Sequence, residues 1–403
     1  MKYLATMFLL LFLISSNENL HAQWIQTNGP GGIVNCFAVS GTNLFAGTFG
    51  DVYFSTNNGV SWTAVNDGLT NPYVYALAVS GINLFAGTNG GGVYLSTNNG
   101  TSWTAVNNGL TNPNVGVLSV SGTNLFASSY GGVYLSTNNG TSWAEVGNGY
   151  FSSTVTALAF SNTNIFAGTF GGDVYLSTNN GTSWKTIDNG LSGSVVNALA
   201  VSGTDLFVGT DGSGVYRLTN NGTNWTAVNI GLTNSFVYAF AFSGTNLFVG
   251  TTKGGVYLST NYGTSWTAVD NGLPNYYVNA LAVSGTNLFA GTRGAGVWKR
   301  PLSELTAIPD EANALLKDYT LSQNYPNPFN PSTVISYSIP SASNVKLIVH
   351  NTLGQIIKTL EIGYKTVGNY SITFNASDLP SGIYFYKLEA DQFSQTKKML
   401  LVK

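Results

Sequence analysis

The stretch Ser96-Thr97-Asn98-Asn99-Gly100-Thr101-Ser102-Trp103, "STNNGTSW", decides how this chain folds. Variants of it end at Trp62, Trp103, Trp143, Trp184, Trp225 and Trp266, at successive spacings of 41, 40, 41, 41 and 41 residues. A second phrase, "GTNLFAGT" or a near variant, begins at Gly41, Gly81, Gly122, Asn162, Gly203, Gly244 and Gly285, which makes seven copies. A near-constant period of this length marks a solenoid or a propeller, because each unit buries its faces against its neighbours.

Each repeat reads as four short strands. In the second repeat they are A (74–79), B (84–88), C (93–96) and D (103–106), rich in Val, Tyr, Phe and Thr and separated by glycine turns. Four antiparallel strands make one propeller blade. The seventh repeat stops after Val297-Trp298 and lacks a D strand, while "WIQTNGP" from Trp24 aligns with "WTAVNDGL" from Trp62. The expectation is an all-β chain whose residues 23–300 form a seven-bladed β-propeller, closed by pairing of 24–27 with 297–299. A β-solenoid is the alternative, but it leaves both ends uncapped.

Within the repeated phrase, Asn98 is placed to bind backbone amides of the C–D turn and Gly100 to take positive φ. Trp103 offers apolar surface for packing between blades. The phrase S-x-N-x-G-x-x-W resembles the Asp-box (BNR repeat) of sialidase-type propellers, with Asn in the Asp position. The resemblance spans the whole ring and implies a fold, with a structural role for the box. The Asn-Gly-Thr triplets also match a glycosylation sequon, although hairpin chemistry accounts for them.

Antiparallel strands put the A–B and C–D turns on one face of the ring and the D–A and B–C loops on the other. The first set barely varies between repeats and the second varies widely, so candidate ligand-binding residues belong to the variable face. The B–C loops begin with Phe49, Asn89, Tyr130, Phe170, Asp211, Thr252 and Arg293. The D–A loops deliver Ile33, Tyr73, Asn114, Thr154, Val195, Phe236 and Tyr277, with Asn35, Tyr75, Gly116, Thr156, Asn197, Tyr238 and Asn279 just inside them. The aromatic members Phe49, Tyr73, Tyr75, Tyr130, Phe170, Phe236, Tyr238 and Tyr277 and the charged sector Asp211, Lys253 and Arg293 suit a glycan or a protein ligand.

Enzyme chemistry has few footholds. The sialidase resemblance implies an arginine cluster, a Tyr–Glu pair and an Asp, but the ring's arginines are Arg217, Arg293 and Arg300, and its one Glu is Glu145 on an outer D strand. No His lies in the ring beyond residue 22, which excludes His-based triads and ordinary zinc sites there. Asp211 stands nearly alone, with Asp51 and Asp173 next nearest in other blades. The expectation is a non-catalytic binding protein without cofactor or metal; a sialidase-like glycoside-acting enzyme is the alternative. With 8% charged residues and net charge -2, the chain is a poor partner for nucleic acid. Cys36 is the one cysteine, expected to be a buried free thiol.

Residues 1–22 read as a signal peptide: Lys2, an apolar run over 4–14, then polar residues up to a cut after Ala22. No later segment spans a membrane as a helix. Past Arg300 the period stops, and 301–318 reads as a linker with a short helix near 311–317. Residues 319–403 alternate like a small, immunoglobulin-like β-sandwich. Within it "NYPNPFNPST" (324–333), "NTLGQ" (351–355), "SGIYFYKL" (381–388) and "TKKMLLVK" (396–403) closely resemble the type A C-terminal sorting domain of the type IX (Por) secretion system. The resemblance implies Sec export to the periplasm, engagement of the type IX machinery, and a secreted or outer-membrane surface location. It places the sorting signal on Lys397, Lys398, Met399, Leu400, Leu401, Val402 and Lys403, read as a recognition edge. The ring also resembles photosystem II assembly-factor propellers, but a sorting domain of this kind argues against that role. A monomer is expected.

Overall fold

The computed structural model describes residues 23–403 apart from 130–131, 148, 152, 162, 220–223, 307–318, 325, 342, 366–367 and 392. The expected signal peptide, the helix near 311–317 and Tyr130 therefore lie outside the described residues. The chain forms two compact units, one ending at Leu305 and the other beginning at Thr306.

The first unit is a ring of seven four-stranded antiparallel blades. Blade 2 runs Val74–Ser80, Asn83–Thr88, Gly92–Ser96 and Thr104–Ala105, paired in that order. Its D strand is shorter than the pattern predicts. Blade 7 takes its fourth strand from the other end of the chain: Ile25 pairs with Lys299 and Gln26 with Trp298. The B strands are the most deeply buried layer, with Leu84, Phe85 and Ala86 each at most 2% exposed. Burial on both faces explains why they read as continuous apolar runs rather than alternating ones.

Glycine sets how closely the blades approach. Six B strands carry Gly at one position: Gly47, Gly87, Gly168, Gly209, Gly250 and Gly291. A Cβ at Gly168 would stand 2.2 Å from Val196 Cγ1 of the next blade. Blade 3 has Ser128 there instead.

The C–D turn satisfies itself. Ser96 Oγ accepts Gly100 N at 2.8 Å, and Asn98 Oδ1 accepts Ser102 N at 2.9 Å. Asn99 and Gly100 are both left-handed, at φ 57° and 84°. Trp103 then reaches back to blade 1, where its indole N–H donates to Val65 O at 2.8 Å. Trp143, Trp225 and Trp266 repeat this bond to Val106, Ile187 and Val228. The tryptophan is an interblade wedge and anchor, as its apolar body and single donor require. In blade 4 Trp184 bonds Gly181 O instead and packs on Phe151.

The helical turn Leu302–Thr306 extends the ordered chain past Arg300, beyond where the repeat pattern ends, and the first unit runs to Leu305. Fully buried Leu305 and the bond from Leu302 N to Thr286 O hold it there. Cys36 is a free thiol, only partly covered at the level of the whole residue, and burial of the sulfur pushes its pKa up to about 12.

The second unit is a β-sandwich. Thr320–Leu321, Ser332–Ile339 and Gly368–Asn375 form one sheet. Ile356–Lys365, Ser343–His350, Gly382–Ala390 and Phe393–Leu401 form the other in that spatial order. Tyr337, Leu347, Phe374, Tyr386 and Met399 fill the core between them. The strand Ile356–Lys365 leaves Ile356, Ile357 and Ile362 exposed.

The last strand lies at a sheet edge, yet its outer backbone groups are engaged over 398–402. Gln323 donates to Lys398 O at 2.7 Å, Asn327 Oδ1 accepts Leu400 N at 2.9 Å, and Phe329 exchanges bonds with Leu400 O and Val402 N. The "NYPNPFNP" motif therefore covers that part of the edge, while the side chains of Leu400 and Val402 stay exposed.

Candidate ligand-binding face

Each A strand enters the ring from the variable face, and its second residue stands beside the next blade. In blades 1, 4, 5 and 7 that residue is Asn35, Thr156, Asn197 or Asn279. Each donates to the carbonyl of the next blade's first A-strand valine: Val74 at 2.8 Å, Val196 at 2.5 Å, Val237 at 3.2 Å and Val34 at 3.4 Å. These four loop residues are thus structural, a girdle of interblade bonds. Tyr75, Gly116 and Tyr238 hold the same position in blades 2, 3 and 6 and do something else.

Tyr238 belongs to a row that crosses three blades. Its hydroxyl donates to Asp211 Oδ1 at 3.1 Å. Its ring stacks on Tyr277, with centroids 6.0 Å apart at 16°. Tyr277 in turn carries the Arg293 guanidinium 5.8 Å from its ring centroid. Asp211, Tyr277 and Arg293 are exposed and Tyr238 is half-buried. Burial first, then the Asp211 charge and hydrogen bond, push the Tyr238 hydroxyl up to about 12, with Arg293 pulling the other way. The row offers an aromatic platform with an acid at one end and a base at the other.

A second group forms in blades 1 and 2. Phe49 meets Tyr73 and Tyr75 edge-on at 6.1 and 5.7 Å. Phe236 lies beside the row, through its backbone bridge to Asp211. Phe170 is 64% exposed and, among the described residues, its ring meets no other aromatic in a stacked or edge-on contact. Lys253 is exposed in a left-handed turn at φ 57°. The other arginines are engaged elsewhere. Arg217 Nε binds Asp205 at 3.0 Å beside Tyr262 of the constant face, and buried Arg300 donates to Val269 O at 3.0 Å.

A cavity of about 210 Å³ opens next to Tyr75, lined by Asn89, Asn114, Val115, Gly116, Ser128, Thr154 and Val155, among others. Several of these belong to the variable loops, but residue type alone does not single them out. The signal that marks them is departure from the repeat: Gly116 where other blades carry a side chain, and Ser128 where they carry glycine.

Residues 323–403 match the family described as the secretion system C-terminal sorting domain. The match lies wholly within the second unit. It implies that the chain is exported to a secreted or cell-surface location by a type IX system. No curated protein sequence matches the chain. Solved structures match it in fold. Ycf48 bound to D1 peptide aligns with TM-score 0.57 at 15% identity, over 72% of this chain and 97% of that one. The WD40 propeller domain of Doa1 aligns with TM-score 0.56 at 13% identity, over 70% and 97%. PorZ, a surface component of the type-IX secretion system of Porphyromonas gingivalis, aligns with TM-score 0.53 at 15% identity. That alignment covers 94% of this chain and 61% of PorZ. Among the described residues no helix is long and apolar enough to cross a membrane.

Proposed function

We propose that the protein is type IX secretion cargo that works outside the cell as a non-catalytic binding propeller. It is released or held at the outer-membrane surface, and it takes a glycan or a protein on the variable face of its ring. The row from Asp211 through Tyr238 and Tyr277 to Arg293 carries this reading. It draws on three blades, and among the described residues the Arg293 side chain makes no hydrogen bond or ion pair of its own. Stacked aromatic and guanidinium groups on an open face are the usual energetic centre of a binding surface.

The C–D turns read as Asp-box turns with Asn in the Asp position, bonded internally and turned away from that face. The carboxylates favour binding over glycoside hydrolysis. Asp51, Asp173 and Asp211 belong to blades 1, 4 and 5, and each engages a tyrosine hydroxyl. Glycosidases instead pair two carboxyls within roughly 5–10 Å across a sugar. Ycf48, a propeller of the same fold, was solved with a bound peptide, which lends weight to the protein-ligand half of the reading.

The test is a glycan and surface-protein binding screen with the chain from residue 23 to 403. A Tyr277→Ala, Arg293→Ala double variant is expected to lose the ligand found while keeping its folded spectrum. Survival of every ligand in that variant would overturn the assignment of the face. Export is tested separately: a chain ending at residue 307 is expected to stay in the periplasm, and its appearance on the cell surface would sink the sorting role.

A further inference from the structure

We propose that the cavity in blades 2 to 4 is a second binding site, built for a single neutral N-acetylated sugar residue. The proposal rests on the variable face being the ligand-binding one, but it involves other blades and other chemistry than the row. Four departures from the repeat coincide in blade 3. Gly116 stands where the other blades carry Asn, Thr or Tyr, and a Cβ built on it would meet nothing within 4 Å. Ser128 stands where the other blades carry Gly, and its hydroxyl takes over the girdle bond by donating to Val155 O at 2.5 Å. The B–C loop is one residue shorter than that of blade 2, which is why the tryptophan spacing drops from 41 to 40. Ser129 Oγ bonds Asn112 O of the D–A loop instead of closing its own loop, as Thr88 does in blade 2. Blade 3 is thus joined to blade 4 without a side chain at residue 116, and among the described residues none fills the space beside it.

The lining defines the ligand. Among the described residues that line it, none carries a charged side chain. A charged ligand group buried there would go unpaired, at a large desolvation cost, so the ligand is neutral. Val115 and Val155 are 1% and 2% exposed and give an apolar floor. Asn89 and Asn114 are exposed at the rim, each with a carboxamide that both donates and accepts. Tyr75 adds an aromatic wall. At about 210 Å³ the cavity is below the roughly 300–1,000 Å³ of sites for drug-sized ligands, and so fits one sugar ring. An N-acetylhexosamine answers all three features: its acetamido methyl meets the valines, its amide meets the asparagines, and its pyranose face, which the parent hexose shares, meets Tyr75.

The probes are N-acetylglucosamine and N-acetylgalactosamine, with glucose and galactose as parents lacking the acetamido group, titrated into the chain 23–403 by calorimetry and ligand-observed NMR. At least one N-acetylhexosamine is expected to saturate, roughly tenfold or more tightly than its parent. Gly116→Asn places in blade 3 the residue that blades 1, 5 and 7 already carry, and is expected to weaken binding about tenfold or more with an unchanged melting temperature. Asn114→Ala, an exposed change, is expected to weaken it as well. Ile82→Ala, an exposed change in a constant A–B turn, is expected to leave it unchanged. Absence of saturable sugar binding, equal affinity for the parent hexose, or full binding by Gly116→Asn would each overturn the proposal. Capture of short peptides by the wild type but not by Gly116→Asn, with no sugar bound, would overturn it in favour of a peptide side chain. A row-dependent ligand found alongside any of these failures would leave the first site standing and remove only the second.

Discussion

The indole N–H of Trp24 donates to the carbonyl of Val269 at 2.7 Å, across 245 residues of sequence. The same bond joins Trp103 to Val65 and Trp266 to Val228 inside the ring. The N-terminal segment therefore fills a place that the repeat has already shaped. Trp24 is 3% exposed. Trp24→Ala is expected to cost about 3–5 kcal/mol, read as a drop in the urea midpoint. An unchanged midpoint would mean that the ring does not depend on this closure.

Gly209 and Gly116 should respond oppositely to the same substitution. A Cβ at Gly209 would stand 2.6 Å from Val237 Cγ1 and 3.1 Å from Phe240, so Gly209→Ala is expected to destabilise by about 1–3 kcal/mol through overpacking. At Gly116, with open space and no left-handed φ, Ala is expected to be neutral or to stabilise by up to about 1 kcal/mol, because it restricts the unfolded chain. Thermal melts of the two variants side by side decide the matter.

Ser96→Ala removes the acceptor of the buried Gly100 N–H and the donor to Asn98. Leaving that amide without a partner is expected to cost about 1–3 kcal/mol. Ligand affinity should not move, because the turn lies on the constant face. A variant with native stability and lost binding would move the binding site to that constant face.

Tyr238 titrates late. Its hydroxyl is raised from 10.0 to about 12, by burial and then by Asp211. In the unfolded chain the proton leaves first, so the stability from this group is complete below pH 10 and is lost as pH climbs toward 12. Asp211→Asn removes a charge that opposes ionisation and is expected to lower the pKa. Alkaline titration of ring-carbon NMR signals, with Tyr238→Phe to assign the resonance, reads this directly. An unmoved Tyr238 in Asp211→Asn would contradict the contact.

Cys36 should be unreactive in the native ring. Burial raises the thiol to about 12, which leaves very little thiolate at neutral pH. Iodoacetamide at mildly alkaline pH is expected to label it far more slowly in the folded protein than in urea. Equal rates would show the sulfur to be open to solvent.

Much of this molecule is legible in its sequence, for a physical reason. A blade buries both faces against copies of itself, so every copy meets the same constraints and repeats the same residues. Gly168, Trp103 and the Asn98 turn recur because contact with the next blade or with their own backbone dictates them. The strand count, the closure by Trp24 and the two faces all follow from that repetition. The sorting domain is legible from its motifs, although not the cover that Asn327 and Phe329 lay over its last strand.

The tertiary structure alone decided which variable residues act together. Asn35 and Tyr238 occupy equivalent positions, yet one bonds the next blade and the other stacks on Tyr277 and reaches Asp211. Side-chain length and the neighbouring blade's identity set that outcome, and neither is local in sequence. Gly116 makes the point most sharply. In the chain it is one more glycine among 48. Only with Val155 bonded to Ser128 and Tyr75 standing alongside does its missing side chain become a cavity.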